Sequence, residues 1–356
     1  MLRQILKLAL TLSFLAGGAH AQGAAGLIER VLSGVPIAAL EGGEGSIIAG
    51  YGNGDAVRWI AVRGAQAGRN PNTPNRFAAL RSAPPLQQAV IAELGDDGVR
   101  RAVGLTARDW IETWEVAQGP VRMGAMDVIP DSEMRLRGAL FVAGFDEEPR
   151  GQGTVMWRGT TDYAADPQAV QPANPFGGDQ GLSLRMAFPQ DGRAVWATGW
   201  QALDLIQAPS GPNLMTRPDA AALVGGLRRA TNLGGVVSVR MWLRNGGALP
   251  VTGAEAGPLD GLALVDFANR ETEAAAMVLL LRAGLDAEAI AARLRDAWPI
   301  LGDVAAPAAP EVTADINTIT ITIRSDWGED GAATNAAYQN FTSVLDGGRL
   351  GVLLSR

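Results

Sequence analysis

Residues 316–324 give the cleanest strand signal, with polar and apolar positions alternating from Thr318 to Arg324. Ile319, Ile321 and Ile323 fall on one side and Thr318, Thr320 and Thr322 on the other. That is the period of a strand with one buried and one solvated face. Residues 236–244 repeat it, with Val237, Val239, Met241 and Leu243 opposite Ser238, Arg240 and Trp242. Two further runs, 182–188 and 193–197, flank Pro189-Gln190-Asp191-Gly192. There the Asp-Gly pair supplies the left-handed geometry of a hairpin turn. Shorter strand signals lie at 46–50, 121–129, 154–157, 262–267 and 350–354.

Elsewhere the apolar spacing is three to four. Leu86, Ala89, Val90 and Leu94 stripe a helix over 84–101, opened by Pro84 and Pro85 where the first turn needs no amide donor. Ala220, Leu223, Val224 and Leu227 stripe another over 218–229, and the closing pair Arg228-Arg229 complements its dipole. Asp286 caps a helix bearing Ile290, Leu294, Ala297 and Trp298. Ala274, Met277, Val278 and Leu281 give residues 271–283 the same helical spacing. Shorter helices are predicted at 56–62, 76–81, 200–207 and 332–345. Residues 131–143, with Met134, Leu136, Ala139, Leu140 and Val142, fit helix and strand equally.

Half-buried strands joined by hairpins and helices predict an α+β fold. The expected organisation is two sequential units, residues 22–230 and 231–356, with antiparallel or mixed sheets packed against helices. Residues 305–310 (AAPAAP) read as a stiff linker within the second. The units share a strand–helix–strand rhythm without a residue-level repeat of fixed period.

Residues 1–21 have the layout of a secretory signal peptide: basic Arg3 and Lys7, an apolar run over 8–16, and Ala19 and Ala21 before Gln22. Its removal changes the chemistry. Lys7 and His20 are the only lysine and histidine, so the mature chain has no Lys, His or Cys. Its 28 arginines against 37 acidic residues leave a formal charge of −9. Missing histidine removes the Ser-His-Asp triad and the usual nitrogen ligand of zinc. Missing lysine removes Walker-type phosphate loops and Schiff-base chemistry. Missing cysteine removes disulfides, thiolates and an N-terminal lipid anchor. Carboxylate pairs, hydroxyls, guanidinium groups and hard metal ions on oxygen remain. The acidic balance and scattered arginines argue against a nucleic-acid partner. No later apolar run approaches the ~18 residues of a membrane span. A soluble periplasmic or secreted protein is expected.

Few constellations carry chemistry. Gly50-x-Gly52-x-Gly54 departs from the dinucleotide-binding spacing and reads as a tight turn with Asp55 as a helix cap. Asp326, Glu329 and Asp330, grouped around Gly328 and Gly331 after the best strand, form a candidate calcium loop, since Ca²⁺ accepts oxygens at variable geometry. Trp110 and Trp114 lie four apart in 109–115 and share a face if that stretch is helical; Trp196 and Trp200 repeat the spacing. Such indoles beside carboxylates either hold sugars or pack in the core. Catalytic carboxylates could come from Asp109 with Glu112, from Asp266, or from Asp326 with Glu329. Asp146-Glu147-Glu148 reads as a solvated hairpin tip.

Three phrases, residues 76–90 (RFAALRSAPPLQQAV), 153–167 (GTVMWRGTTDYAADP) and 174–200 (NPFGGDQGLSLRMAFPQDGRAVWATGW), precede the helix at 218–229. This order resembles a loose group of uncharacterised exported bacterial α+β proteins. The resemblance implies an exported α+β domain and assigns no functional residue. The expectation is an exported, non-catalytic binding or envelope-associated protein with an unknown protein or glycan partner. It has no assigned catalytic residue and no cofactor beyond the calcium candidate. The alternative is a carboxylate-dependent hydrolase acting on glycans.

Overall fold

Among the described residues, which leave out most of the strand expected at 350–354, the strand-period segments join into a single sheet. The computed structural model describes residues 23–56, 58, 60, 81–84, 87, 90, 97–106, 108–150, 153–190, 192–246, 249, 257–269, 271–298, 306–327 and 335–350. Helix α1 (Ala24–Ser33) precedes a three-strand meander, β1 (Ile47–Asn53), β2 (Trp110–Gln118) and β3 (Val121–Val128). Helix α2 (Pro130–Val142) leads to β4 (Asp146–Arg150), β5 (Gly153–Arg158), β6 (Leu184–Gln190) and β7 (Arg193–Ala197), then α3 (Trp200–Gln207). Helix α4 (Pro218–Leu227) opens a second meander, β8 (Gly235–Leu243), β9 (Leu259–Ala268) and β10 (Thr272–Leu281). Helix α5 (Ala287–Ala297), β11 (Glu311–Asp315), β12 (Thr318–Asp326) and α6 (Ala336–Asp346) complete the order.

Among the described residues twelve strands form one sheet in the order β11-β12-β10-β9-β8-β1-β2-β3-β7-β6-β5-β4. Each neighbouring pair is antiparallel. The fold is α+β. The boundary expected at residue 231 lies between α4 and β8, and the sheet crosses it unbroken where β1 pairs with β8. On either side the strands stay together, seven from the N-terminal stretch and five from the C-terminal one. Each half runs helix, three-strand meander, helix, then a return whose last strand pairs with the third. Helices α1 and α4, which open the halves, pack on each other.

Helices α1, α3 and α4 cover one face of the sheet over a core that includes Leu27, Leu203, Leu223, Val239 and Val278. The opposite face carries two separate cores. One gathers Trp110, Trp196 and Phe176 beneath Leu136 and Leu140 of α2. The other gathers Ile319, Ile321 and Ile323 beneath Ile290 of α5 and Phe341 of α6.

The helix expected over 271–283 is the strand β10. Every residue from Glu273 to Leu281 is buried, because α4 lies on one side of the strand and α6 on the other. An unbroken apolar run satisfies helical spacing by coincidence, and burial on both faces removes the alternation that marks a strand. The threonine column of β12 is likewise only partly solvated. Thr318 and Thr320 are buried, and Thr320 Oγ1 donates to the Gly226 carbonyl of α4 at 3.2 Å. Residues 131–143 resolve to helix, opened by Pro130. The acidic hairpin tip proves to be β4, an edge strand whose charges and Pro149 discourage pairing with another chain.

Candidate functional site

Ala49 and Tyr51 of β1 belong to the core under α1, so Gly50 and Gly52 fall on the opposite face, between the two separate cores. The segment at 81–84 crosses there. A methyl group on Gly52 would stand 1.9 Å from the Ser82 carbonyl oxygen, so only glycine permits the approach. The strand runs on through Asn53, whose Oδ1 accepts the Asp55 N–H at 3.1 Å. Gly50 and Gly52 are therefore strand residues, Gly52 admitting a crossing segment, while Gly54 lies past the strand end and Asn53 takes the capping role expected of Asp55.

Arg81 lies buried in this gap. Its Nε and Nη2 donate to Oδ2 and Oδ1 of Asp266 at 2.8 and 2.9 Å, and Nη1 donates to Glu273 at 2.5 Å. Asn335 Nδ2 donates to Asp266 Oδ1 and to the Ala274 carbonyl, both at 2.8 Å. Its Oδ1 caps α6 at the Tyr338 N–H, 3.1 Å away. Burial alone would lower the basicity of Arg81, but the adjacent Asp266 and Glu273 raise it above the ordinary value. Asp266, a catalytic candidate by sequence, is thus closed into a structural node.

The expected pair Asp109 and Glu112 is split. A bulge between Trp110 and Glu112 turns the two carboxylates to different partners. Asp109 receives the Thr106 N–H at 2.6 Å and the Ser132 hydroxyl at 2.9 Å, and pairs with Arg135. Glu112 instead stands opposite Asp127 of β3 on the α1 side. Arg30 donates to Glu112 at 2.8 Å, the Tyr51 hydroxyl at 3.2 Å, and Arg193 pairs with Asp127 at 3.1 Å. Burial raises the Asp127 pKa; Arg193 opposes the rise, and the charge and hydrogen bond of Glu112 add to it. Burial and then Glu112 raise the Tyr51 phenol. This carboxyl pair was missed because its members are fifteen residues apart in sequence and only strand register joins them.

The same bulge separates the tryptophans. Segment 109–115 is largely strand rather than helix; Trp110 packs in the core under α2, whereas Trp114 packs against the core under α1. They form no shared platform. Trp196 is also fully buried. Two guanidinium groups lie over the Trp200 ring, Arg150 at 4.3 Å and Arg185 at 5.2 Å from its centre, with Trp157 at 6.3 Å. Arg185 is held by Asp162 at 2.9 Å and by the Gly159 carbonyl at 2.9 Å. Of the calcium candidates, Asp326 ends β12, while Glu329 and Asp330 lie outside the described residues. Among the described residues no group of three or more Asp or Glu side chains is placed to hold a metal ion. Nor is any helix among them long and apolar enough to cross a membrane.

A polar cleft of about 290 Å³ opens on the α4 side of the sheet, near its β11 edge. Arg229, Thr231, Asn232 and Leu233 line it from the chain after α4, Glu311 and Thr313 from β11, and Thr320, Thr322 and Arg324 from β12. Arg229 is fixed by Asp315 and by Thr318 Oγ1, the latter at 3.0 Å. Arg324 Nη1 donates to the Asn232 carbonyl at 2.8 Å. The one trace of this cleft in the sequence is the threonine column, which reads there as a plain solvated face.

The class these features define is an α+β protein built on one antiparallel twelve-stranded sheet. No family model matches the chain, and no curated protein matches it. Solved structures similar to it include crystal form I of TP0453, at 10% identity and TM-score 0.40, covering 88% of this chain and 97% of that one. Crystal form III of TP0453 is 12% identical, with TM-score 0.38, covering 88% and 98%.

Proposed function

We propose that the chain is an exported, non-catalytic binding protein. Export rests on the leader-like layout of residues 1–21. The observation that carries the binding reading is the open polar cleft beside β11, whose hydrogen-bonding side chains face a space large enough for a small molecule. By contrast, Asp266 and Glu273 are sealed against Arg81, and Asp109 is taken up by Thr106, Ser132 and Arg135.

One observation favours the alternative, a carboxylate-dependent hydrolase acting on glycans. Glu112 and Asp127 face each other across β2 and β3, and Glu112 adds to the rise in the Asp127 pKa, a facing carboxyl pair of the kind from which acid and base roles arise. Each already holds an arginine, which fits a surface ion-pair network better than a reacting pair. Incubation of the purified protein with reporter glycosides and peptidoglycan fragments separates the readings. No turnover is expected. Turnover that is lost in both Glu112→Gln and Asp127→Asn would replace binding with hydrolysis.

A further inference from the structure

We infer that the cleft between the end of α4 and the β11–β12 hairpin is a site for a neutral saccharide; this rests on the binding reading above. The frame of the cleft is fixed from within. Arg229 is tied to Asp315 and Thr318, Thr320 to the Gly226 carbonyl, and Arg324 to the Asn232 carbonyl. Asn232 presents that carbonyl from a left-handed backbone (φ 59°), a conformation seldom held by residues other than glycine.

The remaining groups are unspent. Among the described residues, the side chains of Thr231, Asn232, Glu311, Thr313 and Thr322 make no hydrogen bond within the protein, and all five line the same space. Arg324 uses one of its five donors. The set mixes donors, acceptors and hydroxyls that serve as either, which suits vicinal hydroxyl groups that must donate and accept together.

Charge decides against an anion. Asp315 already balances Arg229, leaving Arg324 against Glu311. The cleft also sits at the C-terminal end of α4, where the helix dipole is negative. A phosphate or carboxylate would face both Glu311 and that dipole. An apolar ligand would strip water from hydroxyls and charges and return no hydrogen bonds. A neutral polyhydroxylated ring meets neither objection, and the volume lies near the lower end of the ~300–1,000 Å³ range of small-ligand sites.

The test is saturation-transfer NMR and titration calorimetry of the full purified protein with cellobiose, maltose, chitobiose and inorganic phosphate. At least one disaccharide should bind saturably. Thr313→Val/Thr322→Val should weaken it roughly tenfold, about the effect of one lost hydrogen bond. That double variant keeps the branched shape of both side chains, and an unchanged Tm shows that the fold is intact. Glu311→Gln should weaken the same disaccharide. If none of the three disaccharides binds, the inference is overturned, while the binding reading still stands or falls on the turnover assay. Disaccharide binding indifferent to all these substitutions overturns the site. Phosphate binding without disaccharide binding, abolished in Arg324→Gln, overturns the ligand class.

Discussion

Arg81 grips Asp266 with two parallel hydrogen bonds of 2.8 and 2.9 Å, across a gap of 185 residues in sequence. The contact joins the segment lying over Gly52 to the C-terminal half of the sheet, and Glu273 and Asn335 complete it. Breaking a buried pair by removing one partner strands the other charge, at a typical cost of about 3–5 kcal/mol. Arg81→Met is therefore expected to lower stability by that order in chemical denaturation. Combining it with Asp266→Asn and Glu273→Gln should recover part of the loss, since no uncompensated charge then remains. Arg81→Met behaving like wild type would show that the pair contributes nothing to holding the halves together.

Two glycines should respond in opposite ways to the same methyl group. Gly52→Ala places Cβ against the Ser82 carbonyl, so either the strand or the crossing segment must shift. An overpacking cost of roughly 1–3 kcal/mol is expected. Gly138 lies within α2, and a Cβ there meets nothing within 4 Å. Gly138→Ala should stabilise by about 0.5–1 kcal/mol through helix propensity and reduced freedom of the unfolded chain. Thermal unfolding of the two variants side by side checks both signs.

Elements with one buried face were legible in the sequence. The stripe Ala220, Leu223, Val224 and Leu227 is the buried side of α4, and Asp286 caps α5 through the Ala289 N–H at 3.0 Å. The hairpin of β6 and β7 follows its turn residues. Elements buried on both faces were not legible, because β10 has no polar side to set its period. Site geometry was lost for another reason. A single bulge after Trp110 decides which face Trp114 and Glu112 take, and no spacing rule reports a bulge. Arg81 with Asp266, Glu112 with Asp127, and the polar cleft arise from strand register and chain crossing. Local pattern carries no record of either.

The stacked corner at Trp200 offers a sharper test of packing. Its indole carries both Arg150 and Arg185 over the ring and tilts at 54° to Trp157. Trp200→Leu removes both cation–π contacts, each worth about 0.5–1 kcal/mol near a surface and more when desolvated. The variant should lose roughly 2 kcal/mol in chemical denaturation. Arg150→Ala should lose less, because the contact between Arg185 and the ring remains. A larger loss in Arg150→Ala than in Trp200→Leu would contradict this order.

All three tyrosines of the chain sit where ionisation is resisted. Burial raises Tyr51, with Glu112 adding to it; burial and then Asp162 raise Tyr163. Burial pushes Tyr338 up to about 12, and its hydroxyl finds no hydrogen-bond partner among the described residues. An unfolded tyrosine titrates near 10. Between that value and about 12 the unfolded chain has lost the Tyr338 proton while the native chain keeps it. The unfolded state then binds fewer protons, so stability falls as pH rises through this window. Below pH 10 the Tyr338 contribution is fully present, and it disappears as pH climbs past about 12. Absorbance at the tyrosinate band should show little ionisation of the native protein at pH ~10, where the denatured protein is half-titrated. A native midpoint at the unfolded value would mean that these phenols are not buried as described. The Tyr338→Phe variant should weaken the loss of stability above pH 10, because it deletes the proton whose release drives it.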